Sequence, residues 1–150
     1  TVHPISCLAE LTQADFDTYS HAISDPIAFR RARHVVGEVE RTRKAVAALK
    51  QGDITTFGRL MNESHISLRD DYEVTGKELD TLAETAWQVE GVLGSRMTGG
   101  GFGGCTVSLV RDEAINDFRC IVGENYTKQT GLTADFYIAE IGDGAKEICA

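Results

Sequence analysis

Proline is scarce in this 150-residue sequence: only Pro4 and Pro26 are present. That excludes a polyproline-rich or low-complexity chain, and no internal repeat is visible. No run approaches the roughly 18 apolar residues that a membrane span needs, and no signal-peptide pattern opens the chain. Positive charge is also in short supply, with 15 Lys+Arg against 23 Asp+Glu and a formal net charge of −8. That is the wrong overall field for binding nucleic acid or an anionic membrane surface. The four cysteines, Cys7, Cys105, Cys120 and Cys149, include no C-x-x-C pair. With no histidine pair at metal spacing either, a structural zinc site is excluded and no metal ligands are expected. Their long, irregular gaps and the lack of a targeting segment point to reduced thiols and a cytoplasmic protein.

What is present is an ordinary globular balance, 42% hydrophobic and 25% charged, at a length typical of one domain. The chain opens on Thr1 rather than Met and closes at Ala150 shortly after an expected strand, which reads as a piece of something longer. Residues 1–26 form a mixed lead-in, in which Thr12-Gln13-Ala14-Asp15 starts a short helix reaching Phe16 and Tyr19. His21 to Pro26 reads as a loop. From Ile27, Ala28, Ala32, Val35, Val36, Val39, Val46 and Leu49 recur at helical spacing. Gln51-Gly52-Asp53 ends that helix and caps the next, whose face carries Ile54, Phe57, Leu60, Met61, His65 and Leu68. Arg69 to Glu73 breaks the period. Thr75-Gly76-Lys77-Glu78 has capping-box spacing ahead of a third helix with Leu79, Leu82, Ala83, Ala86 and Trp87.

After Gly91 the period shortens. Val92–Met97 and Cys105–Val110 read as strands joined by a glycine loop. Asp112 is placed to cap a helix with Ile115, Phe118, Ile121, Val122 and Tyr126, and Gly131 precedes a last strand, Ala134 to Ile141. Gly142-Asp143-Gly144-Ala145 reads as a turn. The order predicts an α+β fold, a ferredoxin-like split β-α-β layout with additional N-terminal helices. The domain is expected over residues 27–150. Such a sheet usually has four strands, and the sequence places three.

Chemistry concentrates in Met97-Thr98-Gly99-Gly100-Gly101-Phe102-Gly103-Gly104, where five of eight residues are glycine. So many glycines imply positive φ angles or a backbone that lies close to another segment or a ligand. Exposed N–H groups in such a loop can cradle an anion. Two readings stand: a loop near a phosphate or nucleotide, or a tight hairpin without ligand. The G-x-G-x-x-G spacing at Gly99, Gly101 and Gly104 is followed by a strand, which rules out a dinucleotide-binding turn. Adjacent Asp70 and Asp71 diverge in either a helix or a strand, so they read as a solvated loop or as an anchor. His65 lies on an apolar stripe, as a core histidine does. Arg30-Arg31-Ala32-Arg33-His34 is a charged helix face or a phosphate patch. Ser64-His65 with Asp70 or Asp71 lacks a nucleophile elbow and is not a hydrolytic triad. Met97 and Trp87 read as packing residues.

Several blocks name a family. Arg31-Ala32-Arg33-His34-Val35-Val36, Phe57-Gly58-Arg59-Leu60-Met61-Asn62-Glu63-Ser64-His65 and Ser67-Leu68-Arg69-Asp70-Asp71-Tyr72-Glu73-Val74 resemble galactokinases of the GHMP small-molecule kinase superfamily. So do Gly94-Ser95-Arg96-Met97 with the glycine block through Val107, and the closing Asp143-Gly144-Ala145. The resemblance covers essentially the whole chain and implies the C-terminal portion of such a kinase. It implies ATP-dependent phosphorylation of D-galactose at its 1-hydroxyl, with ATP and Mg²⁺ as needs of the full-length protein. Thr98, Gly99, Gly100, Gly101, Phe102, Gly103 and Gly104 then form a nucleotide-adjacent loop, with Arg96, Asp70, Asp71 and His65 as structural residues near the cleft. The family's sugar-binding and phosphate-loop motifs do not occur in this sequence, and no catalytic residue is assigned within it. The isolated chain is expected to be inactive, to bind neither ATP nor Mg²⁺ tightly, and to self-associate through an uncovered apolar face. Thr75-Gly76-Lys77 departs from the Ser-Cys-Pro usual in the family. A sugar sensor without turnover, an N-acetylgalactosamine kinase and an independent ferredoxin-like ligand-binding module are the alternatives.

Overall fold

The computed structural model describes residues 4–140, 142, 144 and 147. Helix α1, Gln13–Tyr19, starts on a reciprocal cap in which the Thr12 hydroxyl accepts from the Asp15 N–H while Asp15 accepts from the Thr12 N–H. Helix α2, Pro26–Lys50, is set by Pro26 in its first turn and by Asp25, whose carboxylate accepts from the Ile27 N–H at 2.9 Å. Gly52 in the left-handed region (φ 71°) turns the chain, and Asp53 caps α3, Ile54–Ser67, by accepting from the Thr56 N–H at 2.9 Å. Both helices and their junction follow the expected pattern.

The break after α3 is a π-helical turn, Leu68–Tyr72, closed by Glu73 at φ 58°. Helix α4, Lys77–Trp87, departs from expectation at its start: Gly76 (φ 83°) is the N-cap and no side chain caps the helix. Thr75 lies inside the protein, 2% exposed. With Gly76 as the N-cap, Thr75 stands one residue outside the helix, so the capping box implied by Thr75 and Glu78 does not form. Strand β1, Val92–Thr98, pairs antiparallel with β2, Cys105–Val110, in the register Arg96↔Val107 and Thr98↔Cys105, with a bulge between Val92 and Gly94. Helix α5, Ile115–Thr130, follows a 3₁₀ turn at Asp112–Ala114. Asp112 sits within that turn rather than capping α5, whose N-cap is Ala114. The turn takes up the position where the helix would otherwise have begun.

The α+β architecture, with helices ahead of a small antiparallel sheet, is as expected. The third strand is not. Among the described residues the sheet has two strands, and residues 134–140 lie outside any ladder. Phe136 instead packs edge-on to Phe118 of α5 at 5.8 Å, while Tyr137 and Ile138 are exposed. Alternating apolar residues make a strand only where a neighbour supplies hydrogen bonds, and this segment is held to a helix by one ring. Ile141, Asp143, Ala145 and Cys149 fall outside the described residues.

Helices α3 and α4 pack on β1, α2 on α3, and α5 on α4. One apolar cluster joins Phe16, Ala32 and Val36, a second Leu68, Leu79 and Met97, and a third Ala86, Val89 and Val122. The closest approach is between α3 and β1. A Cβ at Gly58 would fall 2.1 Å from the Leu93 carbonyl oxygen, and one at Gly94 would fall 2.2 Å from that of Gly58. Backbone therefore meets backbone across the helix–strand contact. No helix among the described residues is long and apolar enough to cross a membrane.

Candidate functional site

The glycine block forms the connection between β1 and β2. Gly99, Gly101 and Gly103 have φ of 77°, 82° and 91°, and Phe102 between them has φ 57°. Four positive φ angles in five residues explain the composition, because side chains are strained in this region. Gly101 has a second reason: a Cβ there would lie 2.1 Å from the Val74 carbonyl oxygen. That same oxygen accepts from the Phe102 N–H at 2.8 Å. Gly99, Gly100 and Gly103 have open space where a side chain would stand, and the Phe102 ring is 78% exposed. The loop thus combines one backbone anchor with an unobstructed outer edge.

At the loop's foot, Met97 is 3% exposed and its N–H donates to His65 Nδ1 at 3.0 Å. His65 is fully buried, with Nε2 3.1 Å from Asp80 Oδ1 and its ring edge-on to Trp87 at 5.6 Å. Because Nδ1 accepts, the ring is the neutral tautomer with its proton on Nε2, donated to Asp80. The reading of His65 as a satisfied core histidine agrees with this arrangement, as does the packing role of Met97 and Trp87. The Trp87 indole donates to the Ser95 carbonyl at 2.9 Å. Ser64 is turned elsewhere, donating to Glu38 Oε2 at 2.7 Å.

The structure separates the two aspartates. Asp70 is exposed and paired with Arg69 at 2.8 Å, which holds its carboxyl below the usual carboxylate range. Asp71 is buried and anchored by Arg33, with the Ser67 hydroxyl 3.4 Å from its other oxygen. The basic cluster on α2 is correspondingly occupied: Arg30 and Arg31 reach Glu73 at 3.1 and 2.6 Å, and His34 is buried, stacked on Tyr72 at 4.6 Å. Asp70 is not drawn toward the glycine loop. Asp71 is linked to it through the backbone of 71–74.

Beside the loop lies a cleft of about 450 Å³, lined by Arg96, Thr98 and Val107 from the sheet and by Glu38, Arg41 and Phe57 from α2 and α3. Thr98 therefore belongs to both the loop and the cleft. Burial raises the Glu38 carboxyl, but hydrogen bonds from Ser64 and Arg41 outweigh it and hold the group below its ordinary value. Among the described residues no group of three or more His, Cys, Asp or Glu side chains is placed to hold a metal ion. Cys7, Cys105 and Cys120 are free, exposed thiols. Gly58, Gly94, Val74 and Asp80 were not singled out from the sequence. Of these only Gly94 carried a usable signal, since a glycine inside a strand marks a bulge or a close backbone approach.

Burial keeps the His65 imidazole below its ordinary pKa despite Asp80, and burial acts on His34 in the same sense. In the unfolded chain both return to about 6.5. The native state therefore binds fewer protons, and this contribution to stability is complete above pH ~6.5 and is lost progressively below it. The melting temperature is expected to be level from pH 8 to 7 and to fall between about pH 6.5 and 5. His65→Gln should flatten that slope in thermal melts. A wild-type profile level down to pH 5 would contradict the buried neutral rings.

Comparison with known proteins follows this geometry closely. Residues 45–128, more than half of the chain, match the family described as GHMP kinases C terminal. The galactokinase of Clostridium acetobutylicum is 56% identical over 147 residues, covering 98% of this chain and 38% of that protein. That of Fusobacterium nucleatum is 55% identical over 144 residues, covering 96% and 37%. The crystal structure of Lactococcus lactis galactokinase complexed with galactose superposes with a TM-score of 0.92 at 49% identity, covering 98% of this chain and 38% of that one. The chain thus spans less than two fifths of the length of the relatives it matches.

Proposed function

Because the chain belongs to the GHMP kinase C-terminal family, we propose that it forms the C-terminal part of a galactokinase. The whole enzyme would transfer the γ-phosphoryl group of ATP to the 1-hydroxyl of D-galactose. The observation that carries this reading is the match over 98% of the chain, at 49% identity and a TM-score of 0.92, to a galactokinase solved with galactose.

The glycine loop is read as the part nearest the nucleotide. Phosphoryl transfer depends on positioning and on donors aimed at phosphate oxygens. A loop with no side chain at Gly99, Gly100 and Gly103 lets its backbone approach an anionic group. Arg96, at the wall of the cleft with Thr98, is read as a cationic candidate beside it. The described residues supply no carboxylate cluster fit for Mg²⁺, so no step is assigned to that ion here. Residues 27–150 are read as the working domain with 1–26 as its lead-in, and the isolated chain as inactive. Galactose and ATP are the partners of the whole protein, read as cytoplasmic; the net charge of −8 disfavours nucleic acid.

A chimera tests this directly. The chain would replace the matching 147 residues of the Clostridium acetobutylicum galactokinase. Galactose-dependent ADP release from MgATP is expected from the chimera and not from the 150-residue chain alone. A folded chimera without galactose-dependent turnover would overturn the assignment.

A further inference from the structure

The arginines of α2 converge on the turn just ahead of Val74, whose carbonyl touches the glycine loop. Arg31 donates to the backbone carbonyl of Asp71 and, at 2.6 Å, to Glu73 Oε2. Arg30 reaches the other Glu73 oxygen at 3.1 Å. Arg33 grips Asp71 Oδ1 through Nε at 3.1 Å and through a second guanidinium nitrogen. Tyr72 is covered on its ring by His34, at 4.6 Å, and by the Arg31 guanidinium, at 5.6 Å. The C-terminal end of the π-helical turn, Asp71 and Tyr72, is therefore clamped to α2 together with Glu73. Glu73, in the left-handed region at φ 58°, then redirects the chain so that the Val74 N–H returns to the Leu68 carbonyl at 3.2 Å.

The far side of that clamp is the glycine loop. The Val74 carbonyl accepts from the Phe102 N–H at 2.8 Å, and it is the atom that leaves no room for a side chain at Gly101. Below it, Leu68, Leu79 and Met97 form one buried cluster with Val74 packed against it. The Val74 carbonyl thus holds the loop, and the α2 arginines hold Asp71 and Glu73 just ahead of it in the chain.

We propose that Asp71, held by Arg31 and Arg33, is a positioning residue for the phosphoryl-donor nucleotide, acting on the glycine loop through the Val74 carbonyl. The proposal rests on the galactokinase reading for its ligand but not for its linkage. Exposed ion pairs alone contribute little. Asp71 differs because its side chain is only 12% exposed and several donors converge on the residue. Loss of its carboxylate releases Arg33 and the Ser67 hydroxyl at once, and leaves Arg31 as the arginine that still holds the Asp71 backbone. Coupling of this kind is carried by packed, hydrogen-bonded elements, and a shift of about 1 Å at a reacting group can cost on the order of a hundredfold in rate.

The test uses Asp71→Ala, Asp71→Asn and Arg33→Lys. In the 150-residue chain, amide hydrogen exchange at Phe102 is expected to accelerate on the order of tenfold in Asp71→Ala, with Val122 in the distant cluster unchanged. In the chimera, the KM for MgATP is expected to rise about tenfold while the KM for galactose stays within about twofold. Arg33→Lys and Asp71→Asn, which keep a donor and an acceptor in place, should fall between wild type and Asp71→Ala; they carry the test if Asp71→Ala does not fold. Unchanged Phe102 exchange, or equal rises in both KM values, would overturn the proposal. A wild-type chimera without turnover would sink the kinase reading instead, and Phe102 exchange would still decide whether the clamp controls the loop.

Discussion

Gly94→Ala is expected to destabilise the chain by about 3 kcal/mol or more, at the upper end of the range for overpacking a core. At this chain length that lowers the melting temperature by roughly 6–12 °C. The added Cβ would lie 2.2 Å from the Gly58 carbonyl oxygen and 2.6 Å from the Gly58 Cα. These are backbone atoms of a helix and cannot swing aside, so α3 must lift from β1. The lift would also pull Asn62 from the Ser95 N–H, which donates to its Oδ1 at 2.8 Å. Ser95 is fully buried, and a buried donor without a partner costs a further 1–3 kcal/mol or so. Gly58→Ala should behave alike, since its Cβ would meet the Leu93 carbonyl at 2.1 Å. Gly100→Ala is the contrast: open space and no positive φ make it neutral or slightly stabilising. Thermal unfolding followed by circular dichroism checks all three. A Gly94→Ala chain melting within about 2 °C of wild type would refute the backbone contact.

His65→Ala is the second large effect, expected at about 4 kcal/mol from the cavity and the broken hydrogen bonds together. The imidazole ties α3 to two further elements: its Nδ1 accepts from Met97 of β1, and its Nε2 and its ring meet Asp80 and Trp87 of α4. Truncation leaves the Met97 N–H buried without an acceptor beside the foot of the glycine loop. His65→Asn places an oxygen where Nδ1 stood and should recover part of the loss. His65→Gln retains reach to Asp80 but not the Met97 contact, and should recover less. Urea unfolding of the three variants ranks them. If Gln proved better than Asn, the Asp80 contact would outweigh the strand contact.

The secondary structure was largely legible where local rules decide it. Asp53 after Gly52 marks a helix start by capping chemistry that acts within four residues, whereas Asp25 and Pro26, in a stretch that reads as a loop, turn out to start α2. The period-two pattern of Cys105–Val110 between a glycine loop and Arg111 marks a strand for the same local reason. Local rules misled where tertiary contacts competed. Thr75 has the spacing of a cap, but it is buried, and Gly76 takes the cap position. Residues 134–140 have the alternation of a strand, but no described neighbour offers them a ladder.

Residue identity and order set which backbone conformations are accessible: a glycine block that accepts positive φ at positions 99, 101 and 103, helices of set length, and an acidic chain. They also carried the family resemblance. The tertiary structure alone decided what each charged or imidazole group does. Asp70 and Asp71 are chemically identical neighbours, yet one is exposed beside Arg69 and the other is locked beneath Arg33. The difference comes from a five-residue π turn and from a helix some 38 residues upstream. Partners so distant in sequence meet only once α2, α3 and β1 have packed, so no local pattern encodes their pairing.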